Sequence, residues 1–313
     1  MNKYTANWHY SMNEIPEESW KDLMGSETNP FFQWQWLKAL EDSESVSKKT
    51  GWQAHHLTLW REELLIGIAP LYLKYHSFGE FIFDQQFANL AVDLGLSYYP
   101  KLIGMSPLSP VEGYKFFLKE GEDKSTLNKI MFKIIDEFAM ENKILSCNFL
   151  YVDEHWRRDA EDLECDKWIN KKSVWVPESA SNFSDYLQNF NSNQRKNIKR
   201  ERRIIAESGL KVSVIEDTEI DISVMRAMYD FYKQHCYKWG PWGSKYLTKS
   251  FFEKLSEPSL RRNIILFNTY RDDPKESIGM SLCIKDTNRL WGRYWGAKEE
   301  IDYLHFEVCY YSP

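Results

Sequence analysis

The feature that most constrains the fold is an order of secondary-structure elements that occurs twice along the chain. Each half reads as strand, helix, helix, strand, turn, strand, strand, helix. Two corresponding stretches, HHLTLWREELLIGIAPLYLK and IILFNTYRDDPKESIGMSLCIK, each place a charged turn between two strands, with Gly67 or Gly279 early in the second strand. The pattern predicts a duplicated architecture of mixed-sheet α/β class. Because few residues are identical between the halves, a coincidence of pattern is the alternative.

The length of the chain suits two domains, because 313 residues exceed the roughly 100–200 residues of one domain. We predict a first domain over 1–152, a connecting region over 153–190 and a second domain over 191–313. In the first domain, the predicted strands are 3–9, 53–60, 64–75, 80–84 and 144–152, the helices are 16–24, 31–41 and 125–142, and 95–115 is a long loop. Further on, the predicted strands are 169–176, 211–216, 263–270, 277–285 and 289–295, and the helices are 194–208, 222–237, 247–255 and 305–311.

Composition excludes several classes of protein. A hydrophobic fraction of 43% excludes wholesale disorder, and a net charge of −6 gives no bulk attraction to DNA. The longest apolar run, about ten residues at 64–73, is too short to span a bilayer, and no secretory signal is visible, which predicts a cytoplasmic protein. The five cysteines lack metal-ligand spacing, so we expect reduced thiols and no metal.

The duplicated order of elements resembles that of tandem GNAT-fold acyltransferases of the FemAB-like group. The basic helix QRKNIKRERRIIAESGLKV is similar to the Arg-rich helix that precedes the second FemAB domain. Longer motifs resemble a family of predicted bacterial N-acyltransferases related to peptidoglycan biosynthesis. These motifs are LKYHSFGEFIFD (Leu73–Asp84), YYPKLIGMSPLSPVEG (Tyr98–Gly113), KWG with YLT, and GRYWG with LHFE and CYY.

The resemblance implies transfer of an acyl or aminoacyl group onto an amine of a small-molecule or peptide acceptor. The donor would be acyl-CoA or aminoacyl-tRNA, and the second donor would make tRNA a partner. Members of the family continue past the CYY motif, so we expect a C-terminally truncated chain with an incomplete second domain. The Gln-x-His-Trp-type stretch of the family is replaced by Ser173-Val174-Trp175.

The segment 73–84 carries the residue types that N-acyl transfer needs. The reaction requires a neutral amine nucleophile, a proton acceptor and donors for the developing oxyanion. Glu80 or Asp84 would act as general base and His76 as polariser. On a strand, His76 and Glu80 would share a face with Phe78, and Ser77 would lie opposite. The alternative is a hydrogen-bond network that only fixes the end of the hairpin.

Three other groups of residues are candidates for binding substrate or donor. Tyr98, Tyr99 and Lys101 lie in a Pro-rich loop, where they would bind a carboxylate or phosphate, or would pack as aromatics under a solvated lysine. Arg195 and Lys199, with Lys196 and Arg200, would hold phosphates or form the solvated face of an amphipathic helix. The third group would supply a proton relay or a wall of the acyl site, or would belong to the core: Arg293, Tyr294, Trp295, His305 and Glu307.

The pyrophosphate-binding loop of CoA-dependent GNAT enzymes, Gln/Arg-x-x-Gly-x-Gly/Ala, has no good match in either half. Its absence leaves acyl transfer open, because relatives that use aminoacyl-tRNA also depart from that loop. It also supports a second interpretation, a non-catalytic, truncated GNAT-fold protein that binds or scaffolds.

Overall fold

The computed structural model describes residues 4–25, 27, 29–176, 180–240 and 243–313. The described chain forms two compact units. The first comprises Met1–Asp166, Ser244–Leu260 and Asp286–Asn288. The second comprises Lys167–Gly243, Arg261–Lys285 and Arg289–Pro313.

The first unit contains eight strands and most of the helices. Three of the helices named here begin at side-chain caps, as at Asp123, whose carboxylate accepts a hydrogen bond from the Thr126 backbone N–H. The strands are β1 Thr5–His9, β2 Trp52–Ala54, β3 His56–Arg61, β4 Leu64–Ala69, β5 Tyr72–Lys74, β6 Lys101–Gly104, β7 Phe117–Leu118 and β8 Cys147–Phe149. The helices are α1 Glu17–Met24, α2 Trp34–Asp42, α3 Gln85–Asp93, α4 Lys124–Glu141, α5 Glu154–Glu161 and, after the second unit has begun, α9 Lys249–Lys254.

Two sheets organise the first unit. One has the strand order β1-β3-β4-β7 and is antiparallel, and it contains the hairpin of β3 and β4 predicted from the sequence. The other has the order β2-β5-β6-β8. In this second sheet β6 and β8 are parallel, with Leu102 opposite Cys147, and α4 connects them in a βαβ arrangement. Strand β6 begins at Lys101, so this sheet places that lysine beside β5.

The second unit is built on one antiparallel sheet with the order β12-β11-β10-β9. Its core contains Ile205, Phe267 and Leu304. A short helix, α10 Pro258–Arg261, precedes the sheet's second strand, and only its last residue, Arg261, belongs to this unit. The other elements are α6 Phe183–Gln188, α7 Ser192–Glu207, β9 Lys211–Glu216, α8 Ile222–Lys238, β10 Ile264–Tyr270, β11 Gly279–Lys285, β12 Leu290–Ala297, α11 Leu304–Phe306 and a π-helical turn Glu307–Tyr311.

The mixed α/β class is confirmed, but several predicted elements are wrong. Residues 80–84 form no strand, because the chain turns there and Asp84 instead precedes α3. The predicted loop 95–115 contains β6, and helix α3 was not predicted. Residues 169–176 form neither strand nor helix. The first predicted strand begins at residue 3, which lies outside the described residues, and the observed strand is Thr5–His9.

Candidate functional site

A buried lysine is at the centre of the candidate site. Lys101 and Glu80 are each 1% exposed, and Lys101 Nζ donates a 2.6 Å hydrogen bond to Glu80 Oε2. The same ammonium donates to Asp84 Oδ2 and, at 3.0 Å, to Ser77 Oγ. Lys101 is therefore held by three acceptors, two of which are carboxylates of the predicted catalytic group. We call these residues, with those added below, the Lys101 cluster.

Two tyrosines complete this side of the cluster. The Tyr98 hydroxyl donates to Asp84 Oδ2 at 2.8 Å, and the Tyr99 hydroxyl shares a 2.8 Å hydrogen bond with Ser77 Oγ. Ser77 and Tyr99 are half-buried, whereas Tyr98 is buried. The solvent therefore reaches the cluster on the side of Ser77 and Tyr99. All of the residues predicted on 76–101 thus meet in one place.

The prediction that Ser77 lies opposite His76 and Glu80 on a strand is wrong. Residues 76–80 turn instead of extending, which brings Ser77 and Glu80 to the same ammonium and leaves Phe78 exposed. The turn ends where the Tyr151 hydroxyl donates a 2.9 Å hydrogen bond to the main-chain oxygen of Glu80.

A second buried lysine, Lys74, was missed by the sequence analysis. It is fully buried on β5, where its ammonium lies 3.9 Å from the centre of the Trp52 ring and donates to the Phe78 carbonyl at 3.1 Å. A signal was available, because alternation along β5 puts Lys74 on the same buried face as Tyr72. A lysine on such a face is rarely there without a specific partner.

His76 joins Lys74 to the main chain. Its Nε2 lies 3.0 Å from the Thr50 carbonyl, and since a carbonyl only accepts, Nε2 carries the proton. Its Nδ1 then accepts from the Phe78 N–H at 3.2 Å and faces Lys74 Nζ at 3.3 Å. Gly51, at φ +73°, makes room for the ring, because a Cβ there would lie 2.2 Å from Nε2.

Burial and charge displace the pKa values of the cluster in opposite directions. Burial raises the pKa of Glu80 above its usual range, although Lys101 opposes the shift. Burial also acts on Asp84, but hydrogen bonds from Lys101, Ser77 and Tyr98 outweigh it and lower the pKa of that carboxyl. Burial lowers the pKa of Lys74 to about 7, against the attraction of Glu80. Desolvation and the nearby Lys74 charge lower the pKa of His76.

One carboxyl oxygen of the cluster is unused. Glu80 Oε1 is buried and has no hydrogen-bond partner among the described residues, whereas Oε2 is bound by Lys101. A pair of carboxyls whose pKa values are pushed apart is the arrangement that separates acid and base roles. In this pair, Glu80 is the carboxyl with a free acceptor site.

The predicted residues on β12 lie among aromatic rings of the second unit. The Arg293 guanidinium lies 5.2 Å from the centre of the Tyr294 ring, and Tyr294 makes an edge contact with Tyr232. The Trp295 and His305 rings are tilted by 38° with their centres 4.5 Å apart. Burial lowers the pKa of His305. These residues form an aromatic wall along β12 and the helical end of the chain.

Glu307 is buried and fully paired. Its two oxygens accept from Arg202 at 3.0 and 3.2 Å, and Ser312 Oγ donates to it at 3.1 Å. Arg202 lies on helix α7, which also carries two predicted residues. There Arg195 donates to the Phe190 carbonyl at 2.5 Å, while Lys199 is exposed. The structure therefore gathers the predicted residues of 76–101 into one cluster, while those of the second unit lie in separate contacts.

Comparison with known proteins identifies the family. A model of the FemAB-like family, described as peptidoglycan biosynthesis/recognition, matches residues 11–313. The chain belongs to the FemAB-like family. This assignment confirms the resemblance drawn from the motifs, and it makes the protein a member of a peptidoglycan-related family. No curated protein sequence matches the chain.

Two solved structures are similar to this FemAB-like chain. One is the crystal structure of FemX, with 12% sequence identity, a TM-score of 0.48, and coverage of 95% of this chain and 81% of the other. The second is a tandem GNAT protein from the clavulanic acid biosynthesis pathway, with 8% identity, a TM-score of 0.37 and coverage of 95% and 80%.

Among the described residues, no group of three or more His, Cys, Asp or Glu side chains is placed to hold a metal ion. Within the same residues, every helix is too short or too polar to cross a bilayer.

Proposed function

We propose that the protein is an N-acyltransferase that transfers an acyl or aminoacyl group to an amine of a peptidoglycan-related peptide or small molecule. The observation that carries this proposal is the Lys101 cluster, in which Glu80 combines a raised pKa with a buried oxygen that has no partner. A carboxylate of this kind suits a general base near neutral pH. The family description supplies the peptidoglycan context.

In the proposed reaction the acceptor amine enters on the side of Ser77 and Tyr99. Glu80 Oε1 accepts a proton from the amine as its nitrogen attacks the acyl carbonyl carbon. The new N–C bond forms, the thioester or ester bond of the donor breaks, and the proton passes from Glu80 to the departing sulfur or oxygen. Lys101 holds Glu80 in place through Oε2, and Asp84 stays ionised because its pKa is lowered.

The donor is proposed to be acyl-CoA or aminoacyl-tRNA. Exposed Lys199 and half-buried Arg195 on α7, with Arg293 and Trp295 on β12, stay predicted contacts for substrate or donor within the second unit. Calorimetric titration with acetyl-CoA and with aminoacyl-tRNA separates the two donors. The donor that is used should bind with a micromolar dissociation constant, which corresponds to a binding free energy of about −8 kcal/mol.

The decisive test is Glu80→Gln, which keeps the shape of the side chain and removes its basicity. Each donor is incubated with a stem peptide that carries a free amine, and the mass of the peptide is followed. We expect turnover to fall by roughly 100-fold or more while the thermal midpoint changes little. Glu63→Gln, in the exposed turn between β3 and β4, is the control and should leave turnover unchanged. Full activity of Glu80→Gln would remove Glu80 from the mechanism.

One observation favours a second function, a non-catalytic binding protein. The three N–H donors of Lys101 are all taken by Ser77, Glu80 and Asp84, as in a network that only stabilises a fold. Such a protein would bind donor or peptide in the titrations but would never increase the mass of the peptide. Turnover by the wild-type chain excludes this second function.

A further inference from the structure

Lys74 is a buried cation whose hydrogen bonds do not account for its charge. Its ammonium donates to the Phe78 carbonyl at 3.1 Å and faces His76 Nδ1 at 3.3 Å, and both of these acceptors are neutral. No carboxylate of the described residues forms an ion pair with it. Burying an ammonium without a paired carboxylate is costly, whereas the neutral amide of a glutamine carries enough donors for both contacts. The positive charge of Lys74 therefore has a role beyond these two contacts.

The charge of Lys74 acts on Glu80. Of the charged groups around Lys74, Glu80 attracts it most strongly, Lys101 repels it, and Asp84 attracts it more weakly. Burial raises the pKa of Glu80, and the positive charges of Lys101 and then of Lys74 oppose that rise. Glu80 therefore has two cations, Lys101 in contact with Oε2 and Lys74 acting without a direct ion pair.

Lys74 and His76 also hold the turn that carries Glu80. They bind the two main-chain groups of Phe78, since Lys74 Nζ donates to its carbonyl and His76 Nδ1 accepts from its N–H at 3.2 Å. Phe78 lies between Ser77 and Glu80, so fixing its peptide groups fixes the direction in which both neighbours leave the turn. Lys74 thus reaches Glu80 through the main chain as well as through its charge.

The main chain beside Glu80 is strained. Phe81, the next residue, is at φ +60°, and Tyr151, whose hydroxyl donates to the Glu80 carbonyl, is at φ +53°. Bulky side chains seldom adopt positive φ, and they keep it only where the surrounding contacts impose it. The position of Glu80 is therefore imposed by its surroundings, which include the contacts of Lys74.

Burial sets the pH range over which Lys74 is charged. It lowers the pKa of Lys74 to about 7, against the attraction of Glu80. Below that pH the side chain is an ammonium and favours the ionised form of Glu80, and above it the charge is lost. His76 does not replace this charge, because burial and the Lys74 ammonium lower its pKa. The other charged groups around the pair, Lys101 and Asp84, are bound to each other.

We propose that Lys74 is a positioning residue of the proposed acyl transfer, which holds the turn that carries Glu80 and keeps Glu80 ionised as the acceptor of the amine proton. The inference rests on the proposed function. Lys74 is fully buried, so it acts through Glu80 and not on the substrate. Lys101 fixes Glu80 in space, while Lys74 sets how acidic the solution can become before Glu80 is protonated.

The first test measures the protonation of Glu80 without any turnover. The whole chain, with isotope-labelled glutamate carboxyls, is titrated by NMR, and the Glu80 signal is the one that Glu80→Gln lacks. Lys74→Gln keeps the hydrogen-bond donors and removes the charge, so the pKa of Glu80 should rise by about one unit. An unchanged pKa of Glu80 in Lys74→Gln overturns the proposal.

A matched control and a second variant support this titration. Lys115 also lies over an aromatic ring, 5.6 Å from the centre of Phe117, but it pairs with Glu27. Lys115→Gln should therefore leave the pKa of Glu80 unchanged. If Lys74→Gln folds poorly, Lys74→Met offers an unbranched apolar side chain without the charge and should raise the pKa of Glu80 in the same way.

The second test is the pH dependence of kcat/KM for transfer to the stem peptide. In Lys74→Gln the acid side of the profile should move to higher pH, which is about a tenfold loss of kcat/KM at acid pH. Above about pH 8 the profiles of wild type and Lys74→Gln should converge, because the wild-type lysine has lost its charge and Glu80 is ionised in both. An equal loss at every pH would make Lys74 a purely structural residue and would overturn the proposal.

Failure of the proposed function would give a different result. If wild type acylates no peptide with either donor, the proposed function is wrong and Lys74 has no reaction to serve, although the NMR titration still shows whether it acts on Glu80. If wild type is active but the pKa of Glu80 does not respond to Lys74→Gln, the proposed function stands and only the role of Lys74 is overturned.

Discussion

Both units bury a glutamate against a cation, but the number of carboxylates that share the cation differs. In the second unit, Glu307 meets the single guanidinium of Arg202, and both of its oxygens accept hydrogen bonds. In the first unit, Glu80 and Asp84 share the ammonium of Lys101, and Glu80 Oε1 stays without a partner among the described residues. The Arg202 guanidinium satisfies both oxygens of Glu307, so that pair only stabilises the fold. Because Glu80 and Asp84 share one ammonium, Glu80 Oε1 remains able to accept a proton.

The cation of each unit also differs in its exposure. The Arg202 side chain is 38% exposed and lies over the Phe183 ring at 4.5 Å. Lys101 is 1% exposed, so solvent screens its charge much less than it screens that of Arg202. We therefore expect the first unit to depend more strongly on its ionic contacts, and the following variants test that expectation.

The largest effect should come from Lys101→Met. Removing the ammonium leaves two carboxylates buried without a counter-charge, which should lower the free energy of unfolding by about 3–5 kcal/mol. Arg202→Met should cost only about 1–2 kcal/mol, because water can reach Glu307 once the arginine is shortened. Urea denaturation of both variants measures the difference. If both variants lost the same free energy of unfolding, the ionic contacts of Glu80 and Glu307 would contribute equally to stability.

The next effect concerns histidines packed on aromatic rings. His55 lies 4.5 Å from the Phe138 ring centre and 4.8 Å from that of Trp8, and burial lowers its pKa to about 4. Because the unfolded chain binds the proton with a pKa near 6.5, stability falls as the pH drops from 6.5 towards 4. At pH 4 the free energy of unfolding should be lower by about 3 kcal/mol.

His55→Phe should remove this pH dependence. His305, packed against Trp295 in the second unit, is half-buried, so His305→Phe should change the acid sensitivity less. Thermal midpoints measured between pH 7 and pH 4.5 compare the two variants. If the thermal midpoint of His55→Phe fell with pH as steeply as that of wild type, the loss of stability in acid would not come from His55.

A smaller effect is expected at two glycines with positive φ. Gly51→Ala should cost about 2 kcal/mol, because the new methyl group displaces the His76 ring in addition to straining the backbone. Gly209, at φ +77°, has open space around it, so Gly209→Ala should cost only the backbone strain, about 1 kcal/mol. The difference between the two denaturation midpoints isolates the contact with His76. If both variants lose the same stability, His76 is not held tightly.

The smallest effect should come from the exposed helix α7. Lys199→Ala should change the free energy of unfolding by less than about 0.5 kcal/mol, since its side chain is in solvent. Calorimetric titration then tests its proposed role, because weaker donor binding at unchanged stability would assign Lys199 to a ligand. A large loss of stability would instead make it structural.

Much of the candidate site could be predicted from sequence because it is local. The motifs 73–84 and 98–113 already contain His76, Glu80, Asp84, Tyr98, Tyr99 and Lys101. The strands and helices of the second half also follow periodicity, and β9 was predicted with the observed bounds.

The remaining features of the fold and of the site depend on tertiary packing, which sequence periodicity does not predict. On α3, Phe87 and Leu90 are about half exposed, against the usual rule, and the short strand β6 is recognised only through its pairing with β5 and β8. The aromatic run 80–84 has strand-like composition, but the buried contacts of Glu80 and Asp84 with Lys101 require the chain to turn. Lys74 is an exception, because alternation along the predicted strand 64–75 already places it on the same buried face as Tyr72.

The sequence distances within the Lys101 cluster bear on how the protein folds. Lys101 contacts partners 17 to 24 residues away, whereas Arg202 and Glu307 are 105 residues apart. Closing the longer loop costs about 1.5 kcal/mol more in chain entropy. Because domains fold in order of synthesis, we expect the cluster to be assembled while the second unit is still being translated. Glu80 and Asp84, the proposed acid/base residues, would then already be paired with Lys101 before the second unit is complete.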